Sequence, residues 1–317
     1  MLKLITPKNN STVYLMRDEH LNFINNPHKK PTPKDDLSAP LPVTVRFEPA
    51  LNATVTLSDS HGNTVSYQAK GGQAEIYNLK VGERYRWYVS TGFMRSEEYT
   101  FTTDPTPPRL LSVDGLSNVR DIGGFTTTRE RLIKQGMVYR STEGDRNYRI
   151  TSNGLKTLTD ELGIKAELDV RGINGESIEN IFSGLDVKRY NIPLCAYAEI
   201  FTKEQMRSYK RIFELLADSE NYPILVHCQS GMDRTGTLLF ILCSLLGMDE
   251  GDAMLDYEMS SFSTWGDRSR SSEQFIEFLK KFHSYGASAE QAATNFLLAC
   301  EVPQNTLDTV KNILLED

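Results

Sequence analysis

The chain has 317 residues, of which 39% are hydrophobic and 24% are charged, and its formal net charge is −7 at pH 7. This length suits one large domain or two ordinary ones. The acidic balance argues against a protein that binds nucleic acid or anionic membrane through its general surface, because such proteins carry a basic surface. An anionic ligand would therefore need a local site.

The longest apolar run, Leu238 to Gly247, is about half of the roughly 20 residues that a bilayer span requires. It predicts a buried helix and no integral membrane segment. The first ten residues, MLKLITPKNN, lack the apolar core of a secretory signal. We therefore expect a cytoplasmic protein, or a secreted one if a leader has been removed.

Four cysteines, Cys195, Cys228, Cys243 and Cys300, are widely spaced and form no C-x-x-C pair. This spacing disfavours a disulfide framework or a zinc site. The five histidines show no metal-ligand spacing, so we predict neither a metal nor a cofactor. Three of the cysteines are expected to be inert core residues, and Cys228 is the exception.

Residues 1 to about 38 are polar and broken by prolines, and the segment 25–36, NNPHKKPTPKDD, predicts irregular structure. From Pro42 to Thr103 the pattern changes to short alternating runs separated by turn residues. These runs are VTVRFEP, ATVTLSD, TVSYQA, QAEIYNL, ERYRWYVST and EEYTFTT. Strands of this length and spacing predict a small antiparallel sandwich.

Within this region, LKVGERYRWYV (Leu79 to Val89) resembles fibronectin type III modules in its leucine, tight turn and tyrosine-led strand. Such a fold resemblance does not define a function, and the module either binds a partner or packs on the next domain. The proline-dense stretch 102–109 predicts a joint. We expect an N-terminal segment and sandwich over residues 1–105 and a second domain over residues 106–317.

Strand and helix patterns alternate in the second domain and end in helices. Helices are predicted over 152–163, 204–218, 271–286, 288–300 and 303–317, and strands over 164–172, 187–194 and 223–228. Ser288 and Gln291 fit a capping box. The last predicted strand, PILVHC, has the uninterrupted apolar character of a strand buried on both faces. This order predicts an α/β domain with a central, mostly parallel sheet flanked by helices.

The stretch LVHCQSGMDRTG, residues 225–236, combines that strand with a short loop and a helix predicted to begin around Arg234. Such a junction directs several backbone N–H groups and the positive end of a helix dipole to one point, where anions bind. These surroundings favour the thiolate form of a cysteine. We therefore expect Cys228 to be a nucleophile and the loop to bind the ligand through Gln229, Ser230, Gly231 and Met232.

The neighbouring residue types suit the same task. Arg234 has a planar fork for two oxygens of a tetrahedral anion, and the Thr235 hydroxyl is expected to donate to the cysteine sulfur. Gly231 leaves room for the backbone to close on the ligand, and Gly236 allows tight helix packing. His227 is expected to fix the loop from behind through hydrogen bonds of its ring.

The reaction that fits is attack by the thiolate on the phosphorus of a phosphate monoester, which gives a cysteinyl-phosphate that water hydrolyses. Arginine and backbone N–H groups neutralise the oxygens of the transferring group, so the chemistry requires no metal. Residues 258–270 are expected to form a loop at the rim of this site, with Trp265 exposed.

HCQSGMDRTG is similar to the signature loop of the cysteine-dependent protein tyrosine phosphatases. Four further segments occur in this order in a bacterial tyrosine and lipid phosphatase branch whose loop reads H-C-x-x-G-K-D-R-T-G: SNVRDIGG (117–124), VYRST (138–142), ELDVRG (167–172) and MLDYEMSS (254–261). The resemblance covers roughly residues 109–317. It implies a tyrosine phosphatase catalytic domain that acts on phosphotyrosine-containing proteins or phosphorylated small molecules.

This chain has Met232 where the branch has lysine, a residue associated there with extra phosphates on inositol lipids. The departure favours phosphotyrosine. A phosphoinositide phosphatase on the same scaffold is the alternative, and it would need basic groups from elsewhere, such as Lys203, Arg207, Lys210 and Arg211. A third hypothesis is a non-catalytic phosphate-binding module whose sandwich recruits a partner.

The mechanism also needs a general acid for the leaving group. The resemblance assigns this role to Asp233, and Asp169 is the competitor because it ends a strand next to the catalytic one. Arg171 and Arg120 are candidates for added positive charge around the pocket. The structural alternatives are a buried Asp169–Arg171 ion pair, and a turn in which Asp121 pairs with Arg120 or caps a backbone group.

Overall fold

The computed structural model describes residues 1–26, 35–172 and 178–316. Most of the segment 25–36, for which irregular structure was predicted, lies outside these ranges. Contacts divide the chain into two compact units, Met1–Asn22 with Pro40–Leu111 and Phe23–Ala39 with Ser112–Asp317. The described residues 23–26 and 35–39, which the sequence prediction assigned to the first domain, are thus grouped with the second.

The first unit contains strands arranged in two sheets. The strands are β1 (Lys3–Thr6), β2 (Ser11–Val13), β3 (Val43–Glu48), β4 (Ala53–Ser58), β5 (Thr64–Ala69), β6 (Gln73–Ile76), β7 (Arg84–Ser90) and β8 (Tyr99–Thr103). One sheet has the order β1–β3–β6 and the other β2–β8–β7–β4–β5. Pairing is antiparallel except between β2 and β8.

The alternating runs between Pro42 and Thr103 account for strands β3 to β8. In β3, for example, Val43, Val45 and Phe47 are buried while Arg46 and Glu48 are exposed, because successive side chains of a strand point to opposite faces. Buried residues of both sheets form one hydrophobic cluster. The polar first 38 residues did not predict β1, β2 or helix α1 (Asp18–Asn25), since two of these elements are only three or four residues long.

A mixed sheet forms the centre of the second unit. The two-residue strand β9 (Arg109–Leu110) lies at the end of the first unit. The strands of the second unit are β10 (Arg120–Asp121), β11 (Val138–Ser141), β12 (Ala166–Asp169), β13 (Lys188–Asn191) and β14 (Ile224–His227). The order runs β13–β12–β14–β11–β10. The first four pair in parallel and β10 is antiparallel to β11. The largely parallel sheet expected from the sequence is present, and all four residues of β14 are buried.

Helices surround this sheet. They are α2 (Ser152–Lys156), α3 (Lys203–Leu216), α4 (Asp233–Leu246), α5 (Glu250–Glu258), α6 (Glu273–Phe282), α7 (Ala289–Ala299) and α8 (Gln304–Leu314). The predicted helix over 152–163 is α2 followed by a π-helical turn, Thr157–Glu161. Ser288 caps α7 as predicted, but the Gln291 side chain accepts from Ala287 N–H rather than completing the box at Ser288.

Helix α4 anchors the site because it is buried along nearly its whole length. All residues from Thr235 to Leu246 are buried, and each buried leucine contributes roughly 1.5–3 kcal/mol relative to an exposed one. Gly247 ends the helix in the left-handed conformation, with φ +84°. Across the ranges given above, no helix combines the length and apolar character needed to cross a membrane.

Candidate active site

The predicted strand, loop and helix meet at one end of the central sheet. Strand β14 ends at His227, Cys228 follows directly with 2% of its surface exposed, and α4 begins at Asp233. Arg234 lies in the first turn of α4 and is half-buried. The thiol therefore lies at the bottom of a loop whose far end is the start of a helix.

The carbonyl oxygens of the loop are all engaged by surrounding groups. Glu143 N–H donates to Gln229 O at 3.0 Å, and the Asn118 amide donates to the carbonyls of residues 230 and 231, each at 3.2 Å. Arg140 Nη2 donates to the carbonyl of residue 231 at 2.6 Å. The carbonyl of Met232 accepts from the N–H of residue 236 within the first turn of α4, at 2.8 Å.

The loop N–H groups are left to face a ligand. Among the residues that the structure describes, the backbone N–H groups of residues 229–232 have no acceptor. Together with the N-terminus of α4 they form a set of donors suited to an anion with several oxygens. The loop thus has the electrostatics expected of a phosphate cradle.

Two glycines allow this geometry. Gly231 has φ +65°, and a Cβ there would lie 2.1 Å from the carbonyl oxygen of Ser141. At Gly236 a Cβ would lie 2.9 Å from the Tyr257 ring. The first glycine is required by the turn and the second by the packing of α4 against its neighbour.

Arg120 does not line the loop as the sequence had suggested. It is 1% exposed, and its Nε donates to Asp256 Oδ1 at 2.7 Å. The other oxygen of Asp256 pairs with Arg140, so one buried carboxylate bridges two arginines. The prediction that Arg120 binds substrate is therefore corrected: it supports the arginine that holds the loop. Asp121 caps two backbone N–H groups, at 2.8 and 2.6 Å, which is one of the structural alternatives.

Arg171 and Asp169 likewise belong to a buried ion cluster. Arg171 donates to Asp169, to Glu143 Oε2 at 2.6 Å and to Asp145 Oδ1 at 2.7 Å. Burial by itself raises the pKa of Asp169, but the Arg171 guanidinium and the nearby His227 outweigh it and hold that pKa below its usual range. The structure thus disagrees with Arg171 as a substrate ligand and with Asp169 as a proton donor, because three carboxylates occupy Arg171 and Asp169 is fully buried.

His227 supports the loop from behind. Its Nε2 lies 2.9 Å from Glu167 Oε1, and its Nδ1 lies 3.2 Å from the carbonyl oxygen of Cys228. Burial lowers the pKa of His227, but the hydrogen bond and charge of Glu167 outweigh it and raise the pKa to about 9. Since both partners are acceptors, the protonated ring satisfies them together.

Two residues of the signature differ from expectation in their contacts. The Thr235 hydroxyl is buried and has no hydrogen-bond partner in the described part of the chain. The predicted hydrogen bond from Thr235 to the sulfur is therefore not present. The Met232 side chain is fully buried, so only its backbone is available to a ligand.

Asp233 lies at the mouth of the loop and accepts hydrogen bonds from two other segments. Arg268 Nε lies 2.6 Å from Oδ1 and Nη2 lies 2.8 Å from Oδ2, while the Tyr197 hydroxyl donates to Oδ1. The Asp233 side chain remains 32% exposed. It is thus both accessible and fixed in orientation.

Sequence reasoning did not assign roles to several residues that build this site. Three of them lie inside segments that carry the family resemblance: Asn118 in SNVRDIGG, Arg140 in VYRST and Asp256 in MLDYEMSS. The sequence thus singled out these segments but did not indicate what the three side chains do. Arg268 lies in the predicted rim loop, where Trp265 is 41% exposed. Tyr197 had no signal, because nothing in its local sequence indicates a contact with a residue 36 positions away.

Comparison with known families gives a match over the same region. The model described as "Tyrosine phosphatase family" matches residues 111–314, well over half of the chain. The chain belongs to the tyrosine phosphatase family. Membership supports a phosphatase hydrolase. A search of curated proteins finds no significant match.

Two of the solved structures that are similar to this chain are the following. The core catalytic domain of the PP-IP phosphatase SIW14 from S. cerevisiae is 19% identical, with 46% of this chain and 86% of that chain covered, at a TM-score of 0.34. TpbA from P. aeruginosa is 18% identical, with 52% of this chain and 87% of that chain covered, at a TM-score of 0.35.

Proposed function

We propose that this chain hydrolyses phosphomonoesters through a cysteinyl-phosphate, with phosphotyrosine as the preferred substrate. The loop around Cys228 supports this proposal most directly, because its carbonyls are engaged by the protein and its N–H groups are not. Donors fixed around a tetrahedral anion stabilise charge on the transferring group without reorganisation.

The proposed reaction has two steps. Cys228 Sγ attacks phosphorus while the bond to the leaving oxygen breaks, and Arg234 and the loop N–H groups bind the non-bridging oxygens. Water then attacks phosphorus and the S–P bond breaks. Asp233 is the proposed proton donor in the first step and acceptor in the second, since it is the exposed carboxyl at the loop mouth.

The first experiment is hydrolysis of para-nitrophenyl phosphate in excess chelator. Cys228→Ser should abolish turnover, while Cys195→Ser, the same atom change at a half-buried thiol, should keep it. Turnover that persists in Cys228→Ser, or is absent in the wild type, would contradict the proposal. Binding of a phosphopeptide without any phosphate release would favour the non-catalytic module.

A phosphoinositide phosphatase remains the second candidate, and one surface feature favours it. Lys203, Arg207 and Lys210 of α3 line a cavity of about 390 Å³ together with Met206. Arg211, the fourth residue in that hypothesis, does not line it. Glu301 also lines this cavity and pairs with Lys210 at 3.5 Å, which leaves Lys203 and Arg207 as the cations available to further phosphates of an inositol lipid.

Parallel assays separate these candidates. We expect a higher kcat/KM on a phosphotyrosyl peptide than on a soluble phosphoinositide, and Arg207→Glu should leave peptide turnover unchanged. If kcat/KM is higher on the lipid and Arg207→Glu lowers it there alone, the lipid is the substrate class and the ranking reverses.

A further inference from the structure

Asp233, Arg268 and Tyr197 form a group that we call the Asp233 clasp. Arg268 binds both carboxylate oxygens, at 2.6 and 2.8 Å, and Tyr197 donates to one of them. Bidentate guanidinium pairs fix the orientation of a carboxylate as well as its position.

Tyr197 is attached to helix α4 through both its backbone and its side-chain hydroxyl. Its backbone N–H donates to Thr237 Oγ1 at 3.0 Å, and that hydroxyl donates to Asp233 O at 2.8 Å. The ring hydroxyl lies 2.8 Å from the hydroxyl of Tyr257. Tyr197 itself has φ +55°, a conformation that costs on the order of 1–3 kcal/mol and concentrates at functional sites.

The Tyr197 phenol is also kept in the form that donates. Burial, followed by the neighbouring Tyr257 and Asp233, raises the pKa of Tyr197 well above its ordinary value. The hydroxyl therefore retains its proton at neutral pH and can act as a donor to the carboxylate.

The Arg268 arm is fixed through its backbone. Ser261 Oγ accepts from Arg268 N–H at 2.8 Å and donates to Arg268 O at 2.9 Å. The Arg268 side chain is 22% exposed, and the clasp borders a cavity of about 280 Å³. The rim loop thus presents this arginine to Asp233 at an accessible position.

We propose that Arg268 and Tyr197 are positioning residues that hold the Asp233 carboxyl in place for proton transfer during phosphate ester hydrolysis. The inference rests on the proposed function. In the first step the proton of a protonated Asp233 passes to the leaving oxygen as the S–P bond forms and the ester P–O bond breaks. In the second, the Asp233 carboxylate takes a proton from water as the new P–O bond forms and the S–P bond breaks.

The clasp stabilises the carboxylate that exists between these two steps. Arg268 and Tyr197 donate hydrogen bonds throughout and exchange no proton with substrate. Their contribution should therefore depend on how much the leaving group needs a proton, a dependence that a merely structural arginine would not produce. General acid catalysis contributes roughly 10² to 10⁴-fold.

The test compares para-nitrophenyl phosphate, whose phenolate leaves easily, with phosphotyrosine. Arg268→Ala should lower kcat on phosphotyrosine about 100-fold and on para-nitrophenyl phosphate less than about threefold. Tyr197→Phe should show the same selectivity at about tenfold. Arg129→Ala removes an arginine that is 74% exposed and paired to a carboxylate elsewhere, and it should leave both rates unchanged.

A double-mutant cycle completes the design. Adding Arg268→Ala to Asp233→Asn should lower kcat on phosphotyrosine no further than about twofold. The inference would be overturned if Arg268→Ala lowered kcat equally on both substrates. It would also be overturned if Arg268→Ala lowered kcat on phosphotyrosine as much in the Asp233→Asn background as in the wild type. A wild type without Cys228-dependent turnover would overturn the proposed function as well. If Arg268→Ala does not fold, turnover of para-nitrophenyl phosphate is absent and Tyr197→Phe decides.

Discussion

Gly231 and Gly163 offer a matched test of how the loop is shaped. Their φ angles are +65° and +66°, but a Cβ at Gly231 would lie 2.1 Å from Ser141 O, whereas at Gly163 nothing lies within 4 Å. Alanine at either position incurs left-handed strain of about 1–2 kcal/mol. Only at Gly231 must the backbone also move, by about 1 Å, and a misplacement of that size can cost about 100-fold in rate.

Gly231→Ala should therefore lower kcat/KM on para-nitrophenyl phosphate by about 100-fold, and Gly163→Ala should leave it within about twofold. Urea unfolding should show a loss of about 1–2 kcal/mol in Gly163→Ala and a larger loss in Gly231→Ala. Near-normal activity in Gly231→Ala, or equal loss in both variants, would refute the argument that close packing against Ser141 sets the loop.

Two further predictions concern stability. Asp256→Ala should destabilise the protein by about 3–5 kcal/mol in urea unfolding, because it leaves two buried arginines without their shared carboxylate. The control is Glu98→Ala, which removes one partner of an exposed ion pair and should cost less than about 1 kcal/mol. A change as small as this in Asp256→Ala would contradict the prediction. The pKa of His227 is raised from 6.5 to about 9, so its stabilising contribution is complete below pH 6.5 and is lost as pH rises through about 9. As the pH rises through this range, the unfolding free energy of the wild type should fall by more than that of Glu167→Gln. Equal decreases in the two proteins would show that the His227–Glu167 pair is not the cause.

The amino-acid sequence by itself determined the elements that depend on neighbouring residues. Alternating apolar residues predicted strands β3 to β8, and the apolar run of β14 followed by a small polar loop predicted the strand, loop and helix around Cys228. These features could be predicted because strand and helix periodicity and anion-binding loops arise from consecutive residues.

Only the tertiary structure decided which charged groups face a ligand. Arg120 pairs with a carboxylate 136 positions away, and Arg171 with one 26 positions away. Arg268 reaches Asp233 across 35 positions. A buried arginine requires a counter-charge, yet a single sequence contains no information about which distant carboxylate provides it. Asn118 and Tyr197 likewise contact residues 112 and 36 positions away, so the sequence alone could not predict their roles.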